Sequence, residues 1–441
     1  MKLRQLALLL YSLPFPLCLA QQLMTTMNSR QVSYDVVPCY SADTSATDVF
    51  VFYRINKSFF VYLRDNSVQS AERFSSRGEL LVELTEVKTG KATRVIHPFS
   101  DIRTRMPQND ENLPDLEGLV SCSLPDGEYT GVFELRDQQS DRLFLDKKLR
   151  VVVARNNDVS GMNDWVLVTP STNDSTFPFR AINRTEVLPF GESGGLLTQL
   201  RMATNEPIRL KWKLSTVGES GSDARSFVDS SIVFFDRRLV PETVGNAIRF
   251  HSLVPQTPWK SAFIPLPTLR LEAGRYLFSI ETKLGKELVK REIPMTIVWL
   301  NKPFSLSRMD IAIDALRHIA TEDEMSDMDS FITFDKEKVF KSFWKQRDPD
   351  TTTAFNERLA EYYRRVDESI RQFSSDNEPD GYKTDRGKIF ILYGAPTKRD
   401  RLFSPNKPPT EVWLYQNAKK KFVFIDTSRK GFYILSQTEA L

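Results

Sequence analysis

The sequence predicts a mainly β, multidomain chain: two β-sandwiches of the immunoglobulin or fibronectin kind, then an α+β module with three helices and a four-strand antiparallel meander. Three observations predict it. Short apolar or alternating runs separated by turn residues fill most of the first 300 residues. A frame of Leu-x-x-Gly-x-Tyr occurs twice among them. After Trp299 the apolar spacing changes to threes and fours, and near the C-terminus it returns to twos.

The chain opens with Lys2 and Arg4, an apolar run from Leu6 to Leu10, and the small-x-small triplet Cys18-Leu19-Ala20. This order is that of an export signal over residues 1–20, cleaved after Ala20. A membrane anchor is the competing reading. Ser12, Pro14 and Pro16 interrupt the apolar run far short of the roughly twenty residues a span needs, so no transmembrane span is expected after cleavage. A lipoprotein signal needs a small residue before Cys18, where Leu17 stands. Cleavage leaves Cys39 and Cys122, for which a disulfide and two buried thiols are both open readings.

The chain has 441 residues, 41% hydrophobic and 27% charged, enough to bury two to four cores. A net charge of +3 makes no case for nucleic-acid binding.

Residues 21–155 and 160–300 are expected to be the two sandwiches, joined at the Asn-, Asp- and Gly-rich stretch from Arg155 to Asp164. The first holds the apolar segments Val49–Tyr53, Phe59–Leu63 and Leu80–Leu84, the last entering a turn at Lys88-Thr89-Gly90-Lys91. The second holds Ile208–Leu214 and Ser231–Phe235. Leu124-Pro-Asp-Gly127-Glu-Tyr129 through Glu134 aligns without gaps on Leu271-Glu-Ala-Gly274-Arg-Tyr276 through Glu281. Each copy reads as a glycine turn opening a strand, followed by a polar turn and another strand. Repetition of that unit argues for tandem sandwiches.

Residues 301–441 form the third region. Met309–Ala320, Lys336–Trp344 and the run Phe355, Leu359, Tyr362, Val366, Ile370, Phe373 carry helical spacing. Glu361 and Arg365 stand at i,i+4 as a surface pair. Arg347-Asp348-Pro349 separates the last two helices, because proline cannot continue one. Lys388–Tyr393, Glu411–Tyr415, Lys421–Asp426 and Gly431–Ser436 read as four strands of a meander, with helices covering one face. The Lys419-Lys420-Lys421 run is a solvated hairpin tip.

Gly381-Tyr382-Lys383-Thr384-Asp385-Arg386-Gly387 resembles the signature of the GWxTD-domain family of bacterial proteins. Phe343 to Pro349, Tyr362 to Arg365, Tyr393-Gly394-Ala395-Pro396 and Glu411-Val412-Trp413 support the resemblance. Tyr382 departs from it, standing where the family name has Trp; the ring is kept and the indole N–H is not. The resemblance covers residues 301–441 and implies a bacterial, envelope or periplasmic protein without an assigned activity. Physically, the signature reads as a joint between helix and sheet. Tyr382 plugs the layers, Thr384 and Asp385 accept from nearby backbone N–H groups, Arg386 pairs with Asp385 or Asp348, and Gly387 supplies a positive φ. A ligand site at the same place, with Asp385 and Arg386 at its lip and Gly381, Tyr382, Thr384, Gly387, Arg347 and Asp348 around it, is the alternative.

Catalytic signals are sparse. His97, His251 and His318 fall in three separate regions, and no paired His or Cys spacing points to a metal. Gly191-Glu192-Ser193-Gly194-Gly195 spells a nucleophile elbow, but Pro189 interrupts the strand that the motif needs, and the surroundings read as β. No phosphate-binding loop is present, and no cofactor is expected. Acid pairs drawn from Asp348, Glu361, Asp385, Glu411 and Asp426 keep a glycosidase-type reaction open.

Three functions follow as expectations. The first is an exported, non-enzymatic binding or structural protein, periplasmic, outer-envelope-associated or secreted, whose partner is an envelope protein or glycan. The second is a hydrolase of glycan or peptide using a carboxylate pair in the C-terminal module. The third is a secretion or assembly factor that presents a strand edge.

Overall fold

The computed structural model describes residues 31–441 apart from breaks at 41–45, 65–72, 104–114, 154–160, 163–164, 173, 183–185, 202–209, 218–225, 230, 236, 253–258, 285–286, 331–332 and 376–377. The signal segment 1–20 and most of the expected joint lie outside the described residues. Two compact units emerge. The first takes in the described residues up to Leu188, with Glu192–Thr268 and Gly274–Ile297; the second is Pro189–Gly191, Leu269–Ala273 and Val298–Leu441.

In the first unit, Val32–Tyr40, Thr47–Ile55 and Leu116–Leu124 form a three-strand sheet whose central strand, Thr47–Ile55, is covered on both faces. Val49, Val51, Tyr53 and Ile55 pack against a five-strand sheet built on Phe74–Glu86, Ala92–Arg103, Gly127–Asp137 and Leu143–Val153. Phe50 and Phe52 point the other way, into an eight-strand sheet that includes Val166–Pro170, Gly194–Arg201, Ile248–Ser252 and Trp259–Leu266. Side chains alternate between faces along a strand, so a strand covered on both sides must be apolar at every position. That is why Val49–Tyr53 has no polar alternation. A five-strand sheet of Val187–Pro189, Glu287–Val298, Gly274–Leu284, Leu210–Thr216 and Ser226–Asp229 completes the second sandwich, with Phe278 meeting Trp165 edge to face.

Both copies of the repeat open hairpins, at Gly127 and at Gly274. Their Leu and Tyr residues are buried alike, Leu124 and Tyr129 in one, Leu271 and Tyr276 in the other. The Tyr129 hydroxyl donates to the Pro125 carbonyl, 2.9 Å away, closing a tyrosine corner of the immunoglobulin kind.

One expectation in this unit changes and one open alternative closes. Phe59–Leu63 is not a strand: Lys57–Phe59 is a 3-10 turn capped by Asn56, and only Leu63–Arg64 pairs. Cys39 and Cys122 are not bonded to each other. Cys39 pairs with Asp48 and Cys122 with Val49, on opposite sides of the same strand. Two strand spacings separate them, roughly 10 Å, and their side chains face different cores, beyond the reach of a disulfide.

The second unit contains helices α1 (Met309–Ala315), α2 (Glu322–Ser330), α3 (Thr333–Gln346), α4 (Glu357–Phe373) and α5 (Asp385–Tyr393). Its sheet is the meander Lys398–Ser404, Lys407–Tyr415, Lys420–Ile425 and Ile434–Ala440. Asn356 caps α4 by accepting from Leu359 N at 2.8 Å. Tyr362 and Tyr363 of α4 donate to the carbonyls of Ala315 and Ala312, both at 2.6 Å. Those carbonyls lie near the C-terminal end of α1, where helical carbonyls run out of N–H partners four residues on. Phe190, Trp299 and Phe355 form a cluster of three rings in the same unit.

The expected strand Lys388–Tyr393 is a helix. Its run Ile389-Phe390-Ile391 is buried, and a short apolar run of this kind does not distinguish strand from helix. The caps decide it. Thr384 Oγ1 accepts from Gly387 N at 3.0 Å, and Gly394, at φ 77°, closes the C-terminus with its N–H on the Phe390 carbonyl. Arg365 then donates to the Ile391 and Leu392 carbonyls. The sheet keeps four strands because Lys398–Ser404 takes the vacant place, and among the described residues the module has five α-helices where three were expected.

Candidate functional site

Gly381–Gly387 runs from the end of α4 into α5 and is pressed between them. A Cβ on Gly381 would lie 2.5 Å from the Ser369 carbonyl oxygen and 2.6 Å from Ser374 N, so a side chain is excluded. Tyr382 is buried, and its hydroxyl donates to the Asp314 carboxylate at 2.6 Å. The phenol thus supplies both ring and polar tip where the family has an indole. Lys383 bridges Asp314 and Asp380 at 2.9 and 2.8 Å. Thr384 donates to the Gly381 carbonyl at 2.8 Å while capping α5. Asp385 reaches out of the helix to accept from Leu435 N at 2.7 Å, tying the last strand to α5.

Gly387 is a correction. It lies inside α5 with an ordinary helical φ, not in a left-handed turn. Glycine is required because a Cβ would stand 2.1 Å from the Gly381 carbonyl oxygen.

Arg386 is a second correction, since its partner is neither Asp385 nor Asp348. Its guanidinium passes between the rings of Tyr433 and Phe373, 4.3 and 5.2 Å from their centroids, and meets Glu411 at 3.3 Å. Glu411 is fully buried and also accepts from Arg399 and, at 3.3 Å, from Arg401. Burial pushes its carboxyl up, but Arg399 and Arg386 outweigh this and hold it below the ordinary glutamate value. Burial draws Arg386 down, against the pull of Glu411. Arg399 and Arg401 escaped the sequence reading. The only signal is Arg-x-Arg on one strand facing Glu-x-Trp on the next, a pairing visible once the register is known.

Arg347 and Asp348 are not part of this cluster. At the end of α3, Arg347 pairs with Glu324 at 2.6 Å and lies over the Phe343 ring, and Asp348 accepts from Asp350 N at 3.1 Å. The other acids are also engaged. Glu361 pairs with Arg364 and Arg365. Asp426 accepts from Ser428 Oγ and from Lys430 and Gly431 N, which organises the loop before the last strand. Ser193 is followed by the strand Gly194–Arg201 and not by a helix, which removes the elbow geometry. His97 lies beside Phe99 and Tyr53, and His251 beside Glu242.

His318 serves the joint. Its Nε2 donates to the Tyr382 carbonyl at 2.9 Å, and burial holds the imidazole below its ordinary 6.5. Such a ring resists protonation in the folded state. Its contribution to stability is complete above the unfolded value and is lost as pH falls through the lower folded one. His318→Gln is expected to flatten the decline of stability on going from about pH 7 to pH 5 in urea titrations. An unchanged slope would remove the imidazole from the account.

The fold and this joint define an α+β module of helices clamped to an antiparallel sheet by a glycine-flanked signature. The chain carries a GWxTD domain: the model of that family matches residues 286–437. No curated protein matches the chain.

Proposed function

We propose that the chain is an exported, non-enzymatic binding or structural protein of a bacterial envelope, with an envelope protein or glycan as its partner. The observation carrying this reading is the inward use of the signature. Gly381, Tyr382, Thr384, Asp385 and Gly387 are each bonded to, or pressed on, the module's own atoms. Further support comes from the acids. Glu361, Glu411 and Asp426 all sit below their ordinary values, whereas a general acid at neutral pH needs a raised one. Sandwich ends present loops suited to recognition.

Expression of the tagged full chain in a bacterial host, followed by fractionation and N-terminal sequencing, tests export. The expected product starts at Gln21, lies outside the cytosol and co-purifies with one envelope component. Full-length protein confined to the cytosol would defeat the reading. So would turnover of a glycan or peptide that is lost on neutralising one acidic side chain.

One feature favours strand-edge presentation as a second reading. The outer strand Ile434–Ala440 carries neither Lys nor Pro, the usual guards of an exposed edge, whereas Lys398–Ser404 at the opposite edge has Lys398, Arg399 and Arg401. Loss of partner capture in a Ser436→Lys/Thr438→Lys variant would support it.

A further inference from the structure

Three guanidinium groups surround one carboxylate on the helix-facing side of the C-terminal sheet. Arg386 approaches Glu411 Oε2, while Arg399 and Arg401 approach Oε1. The register places Arg401 opposite Glu411 and Arg399 opposite Trp413, so both arginines project from the same face of the edge strand. Asp400, between them, points to the other face, where it pairs with Lys398 at 2.8 Å. The cluster therefore holds two more positive charges than negative ones.

Such a surplus is costly in a semi-buried place. Arg399 and Arg386 repel each other through the same aromatic surroundings, both guanidinium groups lying near Phe373. Arg386 adds a second sign of incompleteness: its Nε–H is buried and has no hydrogen-bond acceptor. It also sits in the first turn of α5, where the helix N-terminus adds positive potential. The approach is open, with Arg399 28% and Arg401 58% exposed.

We propose that Arg386, Arg399 and Arg401 form a binding site for a phosphate-type oxyanion, with Glu411 as the internal counter-charge that orients them. Planar guanidinium forks suit the terminal oxygens of such a group. The stacking of Arg399 on Trp413 and of Arg386 on Tyr433 holds the forks in place before the anion arrives. Beyond Glu411, Arg386 Nη2 makes only a long 3.4 Å bond to the Gly431 carbonyl and Arg399 Nη1 one of 3.5 Å to Gln372 Oε1, contacts that a phosphate oxygen would replace. The site does not depend on export, and the phosphate group is that of a free anion or of a lipid headgroup.

Titration calorimetry of the full chain with inorganic phosphate at low ionic strength, with chloride matched for ionic strength, tests this. One phosphate per chain is expected, with affinity falling as salt rises. Arg399→Gln/Arg401→Gln is expected to weaken binding at least tenfold while keeping the far-ultraviolet circular dichroism of the parent. Arg308→Gln, a change at an exposed arginine paired with Asp310, is expected to bind as the parent does. Absence of phosphate-specific heat, or equal binding by the double variant, would overturn the proposal. Vesicles of phosphatidylcholine with and without phosphatidic acid separate the two sources: co-sedimentation with the second kind only, lost in the double variant, assigns the phosphate to a headgroup, whereas phosphate binding without co-sedimentation assigns it to a free anion.

Discussion

Replacing Glu411 with Gln is expected to destabilise the C-terminal unit by about 3–5 kcal/mol, the range for removing one partner of a buried ion pair. The substitution keeps the shape of the side chain and removes the charge. Arg386, with only 11% of its side chain exposed, then loses its counter-ion, and Arg399 and Arg401 lose the group that offsets their repulsion. Arg401→Gln is the matched control. Its guanidinium is more than half exposed, and a pair so well solvated contributes at most about 1 kcal/mol. Urea unfolding of both variants measures the difference, and equal losses would show that Glu411 is not the centre of the cluster. The acid limb supplies an independent check. Because the folded-state value of Glu411 is depressed, its contribution is complete above the ordinary 4.5 and disappears as pH falls through the lower folded value. In Glu411→Gln the stability curve should lose part of its slope below about pH 4.5.

Gly387→Ala distinguishes two opposed physical effects by sign. Within a helix, Ala is favoured over Gly by about 0.5–1 kcal/mol, so at an unconstrained site the change would stabilise. Here the new methyl would stand 2.1 Å from the Gly381 carbonyl oxygen, a backbone atom that cannot swing aside. Forcing extra volume into a tight site costs about 1–3 kcal/mol and sometimes more, so net destabilisation by about 2 kcal/mol is expected. Relief requires α5 to move away from the end of α4. That movement would strain the Asp385 bond to Leu435 N and loosen the last strand. Hydrogen exchange at Leu435 should therefore accelerate together with the fall in urea midpoint. A more stable variant would show that the two glycines do not meet.

The order of β segments, then helices, then a β meander was legible from period alone, as were the paired glycine-tyrosine hairpins at Gly127 and Gly274. Capping chemistry was partly legible. Thr384 accepts from a nearby backbone N–H as its residue type suggests, whereas Asp385 accepts from Leu435 N fifty residues on, and the element that Thr384 starts is a helix where the sequence suggests a strand. A six-residue apolar stretch such as Lys388–Tyr393 has too few turns to reveal its period, and Gly394, a loop residue by type, is also the end of a helix. The signature was recognised as a joint, yet its two least obvious members were assigned wrong reasons. Gly387 is there for close approach and not for φ, and Arg386 pairs across twenty-five residues with Glu411.

The distinction follows from the range of each interaction. Backbone periodicity, turn residues and caps act over a few positions, and the sequence by itself determined the kind and order of most elements, the paired glycine-tyrosine hairpins and the family of the C-terminal module. What lies opposite a strand depends on chain closure over tens of residues, which leaves no local trace. Only the tertiary structure decided that Val49–Tyr53 is covered on both faces, that Cys39 and Cys122 face different cores, and that three arginines converge on a single buried glutamate.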